Sequence, residues 1–125
     1  VGSADIAGTR VLIVEDEAMI AMLLQDMLEE FGCVVAATAG ALGEAVQAAE
    51  GDEFDLAILD VNLGGTETYP VADVLRRRGI PYVFSTGYGA STLRADHQGQ
   101  PTLQKPFVER ELQRCIADAL AGVRS

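Results

Sequence analysis

The chain has 125 residues, 49% of them hydrophobic, and carries 9 lysines and arginines against 19 aspartates and glutamates for a formal charge of −10. That size and apolar content suit a single domain spanning 1–125, with its core at about 10–122, stable without metal or disulfide staples. The two cysteines, Cys33 and Cys115, have no CxxC or Cys/His spacing, so they read as small buried apolar residues rather than a disulfide or zinc framework.

The acid excess works against nucleic acid or an anionic membrane as a partner, since both require a basic face, and it favours a cation site. No charge-free apolar run approaches the roughly 18 residues of a membrane span, and no charged-then-apolar leader is visible. The expectation is a soluble, cytoplasmic, monomeric protein.

The elements follow in chain order. Residues 10–15 (RVLIVE) form a β-branched run that predicts a first strand. Ile20, Leu23, Leu24, Met27, Leu28 and Phe31 then mark one face of a helix that Gly32 ends. A second strand is predicted over 33–38. Leu42, Ala45, Val46 and Ala49 mark a second helix, stopped at Gly51-Asp52.

Residues 54–60 (FDLAILD) give a third strand that ends in a carboxylate. After a glycine-containing loop, Pro70 suits the first turn of a third helix running to 78, and Arg76-Arg77-Arg78 before Gly79 reads as a cationic last turn with a glycine cap. Residues 80–86 (IPYVFST) predict a fourth strand. Residues 88–95 are a short helix candidate, 100–105 an edge strand interrupted by Pro101, and Leu112, Cys115, Ile116, Ala119, Leu120 and Val123 the inner face of a final helix. Strands alternating with helices five times predict a doubly wound α/β sheet, its parallel strands covered on both faces.

In such sheets ligands bind beyond the carboxyl ends of the strands. Here the first strand ends in Glu15-Asp16-Glu17, the third in Asp60, the fourth in Ser85-Thr86 and the fifth in Lys105-Pro106. If strands one and three are neighbours, Glu15, Asp16 and Asp60 converge, each pair repelling by roughly 3 kcal/mol at an effective dielectric of 20. A divalent cation resolves that conflict, and oxygen-only ligands suit Mg²⁺. Lys105 adds a point positive charge and Thr86 a hydroxyl for an anion at the same place. Glu17 reads instead as an acid complementing a helix N-terminus.

Competing motifs are absent. Thr92 stands where Gly87-Tyr88-Gly89 would need a third glycine to bind a dinucleotide, and no GxxxxGK[ST] loop or nucleophile elbow occurs. His97, in the polar stretch Ala95-Asp96-His97-Gln98-Gly99, has no Ser or Cys placed to partner it and reads as solvated.

Together, Val14-Glu15-Asp16-Glu17, Leu59-Asp60-Val61-Asn62-Leu63, Phe84-Ser85-Thr86-Gly87-Tyr88 and Lys105-Pro106-Phe107 resemble, in order, the motifs of response-regulator receiver domains of two-component signalling. The resemblance covers residues 11 to about 120. It implies a flavodoxin-like (βα)5 fold with strand order 2-1-3-4-5, an order for which receivers are a standard illustration. It also implies that Asp60 takes a phosphoryl group from a sensor histidine kinase or phosphotransfer protein. By the same resemblance Asp16, Asp60 and the backbone carbonyl of Asn62 bind Mg²⁺, with Glu15 acting through water. Lys105 pairs with the phosphoryl group across a Lys105-Pro106 bond that is commonly cis, and Asn62 and Tyr88 flank the attack path. The resemblance further implies a signalling module that catalyses only its own phosphorylation and dephosphorylation.

The fourth-strand run is similar to the Phe-Ala-Thr-Gly-Tyr receiver subgroup, often single-domain proteins paired with HWE-type kinases. Thr102 departs from the common pattern, in which an aromatic residue three positions before the lysine rotates inward as the threonine engages the phosphoryl group. The switching surface is expected around the fourth helix and fifth strand, with residues 87–99 changing most. Two other readings stand beside this one: a small Mg²⁺-dependent phosphatase or phosphotransferase using Asp60 as nucleophile, and a flavodoxin-like cofactor-binding module.

Overall fold

The computed structural model describes residues 6–87, 93–97 and 100–124. Its main elements are β1 (Arg10–Val14), α1 (Ala18–Glu30), β2 (Val34–Ala39), α2 (Leu42–Gly51), β3 (Leu56–Asp60), β4 (Asn62–Leu63), β5 (Thr66–Glu67), α3 (Tyr69–Arg78), β6 (Tyr82–Thr86), β7 (Thr102–Gln104) and α4 (Glu109–Arg124). β2, β1, β3, β6 and β7 form one sheet in that order, every pair parallel. Counted along the main sheet this is the order 2-1-3-4-5. The candidate fourth helix over 88–95, and Tyr88 with it, lies largely outside the described residues, which resume before a 3₁₀ turn at Ala95–His97.

The sheet is buried on both faces, so its strands need no polar alternation. Leu12, Val14, Ala57, Leu59 and Phe84 face a layer that includes Ala45 and Ala49 of α2 and Val71 and Leu75 of α3. Val11, Ile13, Leu56, Ile58, Val83 and Leu103 face the other layer, with Leu24 and Leu28 of α1 and Leu112 and Ile116 of α4. The period-2 alternation of a strand therefore assigns each residue to one of two cores. α3 ends at Gly79, whose φ of 70° is the left-handed cap expected there.

Several expectations are corrected. Leu23, placed on the inner face of α1, is 46% exposed, because the apolar stripe of that helix is wider than the strip of sheet beneath it. Cys33 is buried, but Cys115 is only half-buried. The loop after β3 folds as a β4–β5 hairpin, turned by Gly64 and Gly65 at φ 56° and 97°, the left-handed pair a two-residue hairpin turn requires.

The largest correction concerns His97, which has no exposed surface. Its ring stacks on Tyr69 with centroids 4.9 Å apart and meets Phe84 edge-on at 5.6 Å. Nδ1 lies 3.3 Å from the Tyr82 hydroxyl. Asp96 beside it in sequence is exposed, whereas three rings from α3 and β6 enclose the imidazole. Burial lowers its pKa, the charges of Arg76 and Arg94 add to that, and Asp96 and Asp73 oppose it.

A base whose folded pKa is depressed contributes stability that is present above its ordinary value of 6.5 and lost as pH falls through the folded value. Urea unfolding at a series of pH values should show stability declining below pH 6.5, with a shallower decline in His97→Phe. Phe84→Ala, which empties the contact between the two tyrosines and the imidazole, is expected to cost about 3–5 kcal/mol.

Candidate functional site

Parallel register brings the ends of four strands together. Val14 pairs with Leu59, so Glu15 follows β1 level with Asp60 at the end of β3. Asp60 pairs with Ser85, and Thr86 pairs with Gln104 one residue before Lys105. Glu15, Asp16 and Asp60 each place a carboxylate oxygen within 4.8 Å of the others. Glu15 and Asp60 are buried and Asp16 is exposed, so the cluster reaches solvent through Asp16.

Lys105 bridges the two buried acids. Its Nζ donates to Glu15 Oε1 at 3.0 Å and to Asp60 Oδ2 at 3.2 Å. Burial works against the charged ammonium, but the hydrogen bonds and charges of Glu15 and Asp60 outweigh it and hold the Lys105 pKa above its ordinary value. The Glu15 pKa is raised as well, which for a carboxyl disfavours the charge. Burial raises its pKa, the Asp60 charge adds to that, and bonds from the Glu17 N–H and Lys105 relieve part of it. A carboxyl raised in this way favours the folded state most below its ordinary pKa, and that contribution is lost as pH rises. An ionised Glu15 is therefore held at a cost in the folded protein.

Backbone groups orient the rest. The Asn62 N–H donates to Asp60 Oδ1 at 3.1 Å, so each Asp60 oxygen has a donor. The Asn62 side chain accepts from the Gly65 N–H at 2.6 Å and is thereby fixed in the hairpin. The Lys105 N–H donates to the Thr86 carbonyl at 2.8 Å, tying the lysine to the strand that carries the threonine. Thr86 is itself buried. The Lys105–Pro106 bond is cis, as the resemblance implied.

All six residues singled out from the sequence, Glu15, Asp16, Asp60, Asn62, Thr86 and Lys105, thus lie at one edge of the sheet. Glu17 lies at the N-terminus of α1 and makes no side-chain cap bond there. The cluster is all oxygen and anionic, which fits a small hard divalent cation of the Mg²⁺ type. A phosphatase-type acid two residues after the nucleophile is missing, because that position is Asn62 with its Oδ1 already engaged.

Two hydroxyls escaped the sequence reading. Thr68, with no exposed surface, donates from Oγ1 to the Asp60 carbonyl at 2.7 Å. A Thr directly before a Tyr-Pro helix start reads as an N-cap, yet α3 receives no side-chain cap bond from it. Ser85 is 1% exposed, and its Oγ has no hydrogen-bond partner among the described residues. To reach Asp60 on β3 from the end of β7, Lys105 must cross β6, and Ser85 is the β6 residue level with Asp60. The signal for Ser85 was a hydroxyl inside an otherwise apolar strand.

The comparisons with known proteins agree with this geometry. The family described as "Response regulator receiver domain" matches residues 11–117. The transcriptional regulatory protein TcrA of Mycobacterium tuberculosis is 37% identical over 112 residues, covering 86% of this chain and 44% of that protein. The phyllosphere-induced regulator PhyR of Methylorubrum extorquens is 34% identical over 122 residues, covering 94% and 45%. The chain spans about half the length of the curated relatives it matches.

Among solved structures, SdrG from Sphingomonas melonis Fr1 superposes with a TM-score of 0.77 at 40% identity, covering 94% of this chain and 98% of that one. The receiver domain of PhyR from Erythrobacter litoralis gives 0.80 at 31%, covering 93% and 92%.

A buried hydroxyl without a partner carries its full desolvation cost. Ser85→Ala is therefore expected to raise unfolding stability by about 1 kcal/mol in denaturant titration, whereas a loss of stability would show that the hydroxyl is satisfied in solution.

Proposed function

We propose, from the premise that the chain belongs to the response regulator receiver domain family, that Asp60 is the phosphoryl acceptor of a two-component pathway. Receiver domains of this family are signalling modules rather than turnover enzymes, and they exchange phosphoryl groups with histidine kinases or phosphotransfer proteins. The observation that carries the proposal is the arrangement around Asp60. It is a buried carboxylate at the end of a central strand, beside two further carboxylates and one lysine.

The chemistry assigned to the residues is as follows. A carboxylate oxygen of Asp60 attacks phosphorus in line, the P–N bond of a phosphohistidine breaks, and the departing imidazole takes the electron pair and then a proton. The product is an acyl phosphate. Asp16, Asp60 and the Asn62 carbonyl would hold Mg²⁺, with Glu15 acting through water, and the ion supplies positive charge that neutralises the phosphoryl oxygens.

Lys105 gives up part of its pairing with Asp60 and follows the negative charge to the phosphoryl group. The Glu15 carboxylate, which stays paired with it, favours its charged form through that exchange. Thr86 offers its hydroxyl to the same oxygens. The Asn62 N–H holds the second Asp60 oxygen in place.

Exposed apolar side chains support a path of approach for the donor. Met19, Met22 and Leu23 of α1 are 84%, 63% and 46% exposed, and Val108 is 55% exposed. A depression of about 280 Å³ lined by Ile20, Leu23, Lys105, Pro106 and Phe107 joins this face to the lysine. An apolar face beside the acceptor suits a helical partner that brings a phosphohistidine over the acid cluster, a histidine kinase of the HWE type included. On the other side, the segment between β6 and β7 is the surface whose change reports phosphorylation to a downstream protein.

Intact-mass measurement with acetyl phosphate should show the gain of one phosphoryl group that requires Mg²⁺ and disappears in Asp60→Ala. A gain independent of Mg²⁺, or one that persists in Asp60→Ala, is incompatible with the proposal. Lys105→Ala is expected to slow phosphorylation by about 100-fold to 1,000-fold, the range for removing one charge-stabilising group.

A further inference from the structure

Thr102, where a rotating aromatic would be expected, is half-buried on β7, and its hydroxyl donates to the Gln100 carbonyl at 3.0 Å. The route by which Asp60 could reach the segment between β6 and β7 must therefore be sought elsewhere. A continuous set of packed side chains connects them on the α3 side of the sheet.

It begins at the Asp60 backbone, whose carbonyl accepts from Thr68 Oγ1 at 2.7 Å. Tyr69, the next residue and the first of α3, is buried. Its ring stacks on His97 with centroids 4.9 Å apart and 22° between planes. Its hydroxyl accepts the Arg94 N–H at 2.9 Å, and the Arg94 guanidinium lies 4.6 Å above the same ring. Phe84, two residues before Thr86, meets both rings edge-on, at 5.8 Å from Tyr69 and 5.6 Å from His97.

The far side of the imidazole is held as firmly. Tyr82 presents its hydroxyl to Nδ1 and accepts from Arg76 Nε at 2.8 Å. Arg94 Nη2 lies 3.3 Å from Nε2, with Asp96 and Asp73 carboxylates at 3.7 and 3.8 Å. A ring enclosed in this way cannot absorb a small displacement of Tyr69 by local give, because packed aromatic cores move between discrete arrangements.

We propose that phosphorylation of Asp60 is communicated to residues 93–97 through Thr68, Tyr69 and His97, the imidazole standing in this chain where others use an aromatic on the last strand. The inference rests on reading Asp60 as the phosphoryl acceptor. Thr68 senses the Asp60 main chain and Tyr69 carries its shift. His97 and Arg94 fasten the described part of the segment to it. Coupling of this kind is reciprocal, so the phosphorylated state must also change the proton affinity of His97.

His97 is the sole histidine of the chain, which makes its imidazole resonances self-assigned in an untagged sample. They are followed by NMR across a pH titration, with and without acetyl phosphate and Mg²⁺, while intact mass reports phosphoryl occupancy in the same samples. With wild-type protein phosphorylated, the His97 signals should move and its protonation constant should change by about 5-fold or more. In Thr68→Val the response should fall below half at equal occupancy, and Thr68→Ser should restore it.

A phosphorylated wild-type protein whose His97 signals stay in place overturns the inference while leaving the acceptor role of Asp60 standing. So does a full response in Thr68→Val. If Thr68→Val does not fold, the wild-type response alone decides. No gain of mass in the wild type removes the Asp60 reading and this inference with it.

Discussion

An excess of negative charge at one edge of the sheet is the condition on which the rest depends. Three carboxylates share a space a few ångströms across, with one ammonium between the two buried ones. At an effective dielectric of 20, two unit charges about 5 Å apart interact by about 3 kcal/mol. Lys105 thus compensates part of the repulsion and leaves the remainder for whatever cation or transferring group enters. Burial sharpens this imbalance, since a carboxylate such as Glu15 is costly to keep charged where water is excluded. The site is consequently poised: stable enough to fold, yet under-neutralised in a way that a divalent cation can relieve.

The fold holds that conflict in place. Parallel register aligns the ends of β1, β3, β6 and β7, and the packing of both sheet faces prevents the acids from separating. The helices grip the sheet through apolar side chains of opposite parity, so a displacement at a strand end has nowhere to dissipate except along its packed neighbours. Thr68 joins the main chain of the acid strand to α3, and the aromatic group behind it reaches the next strand and the segment beyond. The acid cluster at the strand ends and the aromatic group on the α3 face are in this sense one packed structure.

The architecture was legible in the sequence because it rests on local periodicity. Continuous apolar strands, helical faces and terminal glycines all lie within a few residues of one another, and the four strand ends could be read as a set once the sheet was taken as parallel. Glu15, Asp16, Asp60, Thr86 and Lys105 followed from those ends, whereas Asn62 entered only through the receiver resemblance. What escaped were features set by partners distant in sequence. His97 was read as solvated from its polar neighbours, whereas Tyr69, Tyr82 and Phe84 enclose it. Thr68 looks like a helix cap and instead bonds backward to Asp60. Ser85 becomes meaningful only once Lys105 is known to cross above it. The Gly64-Gly65 turn was a visible hairpin signal, but strands of two residues have too little pattern to register.

The account's central claim is that Asp60, and no other group at this edge, carries the phosphoryl group as an acyl phosphate. Borohydride reduction after phosphorylation converts an aspartyl phosphate to homoserine, and peptide mass spectrometry then locates it. The account predicts homoserine at position 60 alone, formed only when Mg²⁺ was present. Homoserine at position 16, or a phosphate that resists borohydride and maps to Ser85 or Thr86, would contradict it.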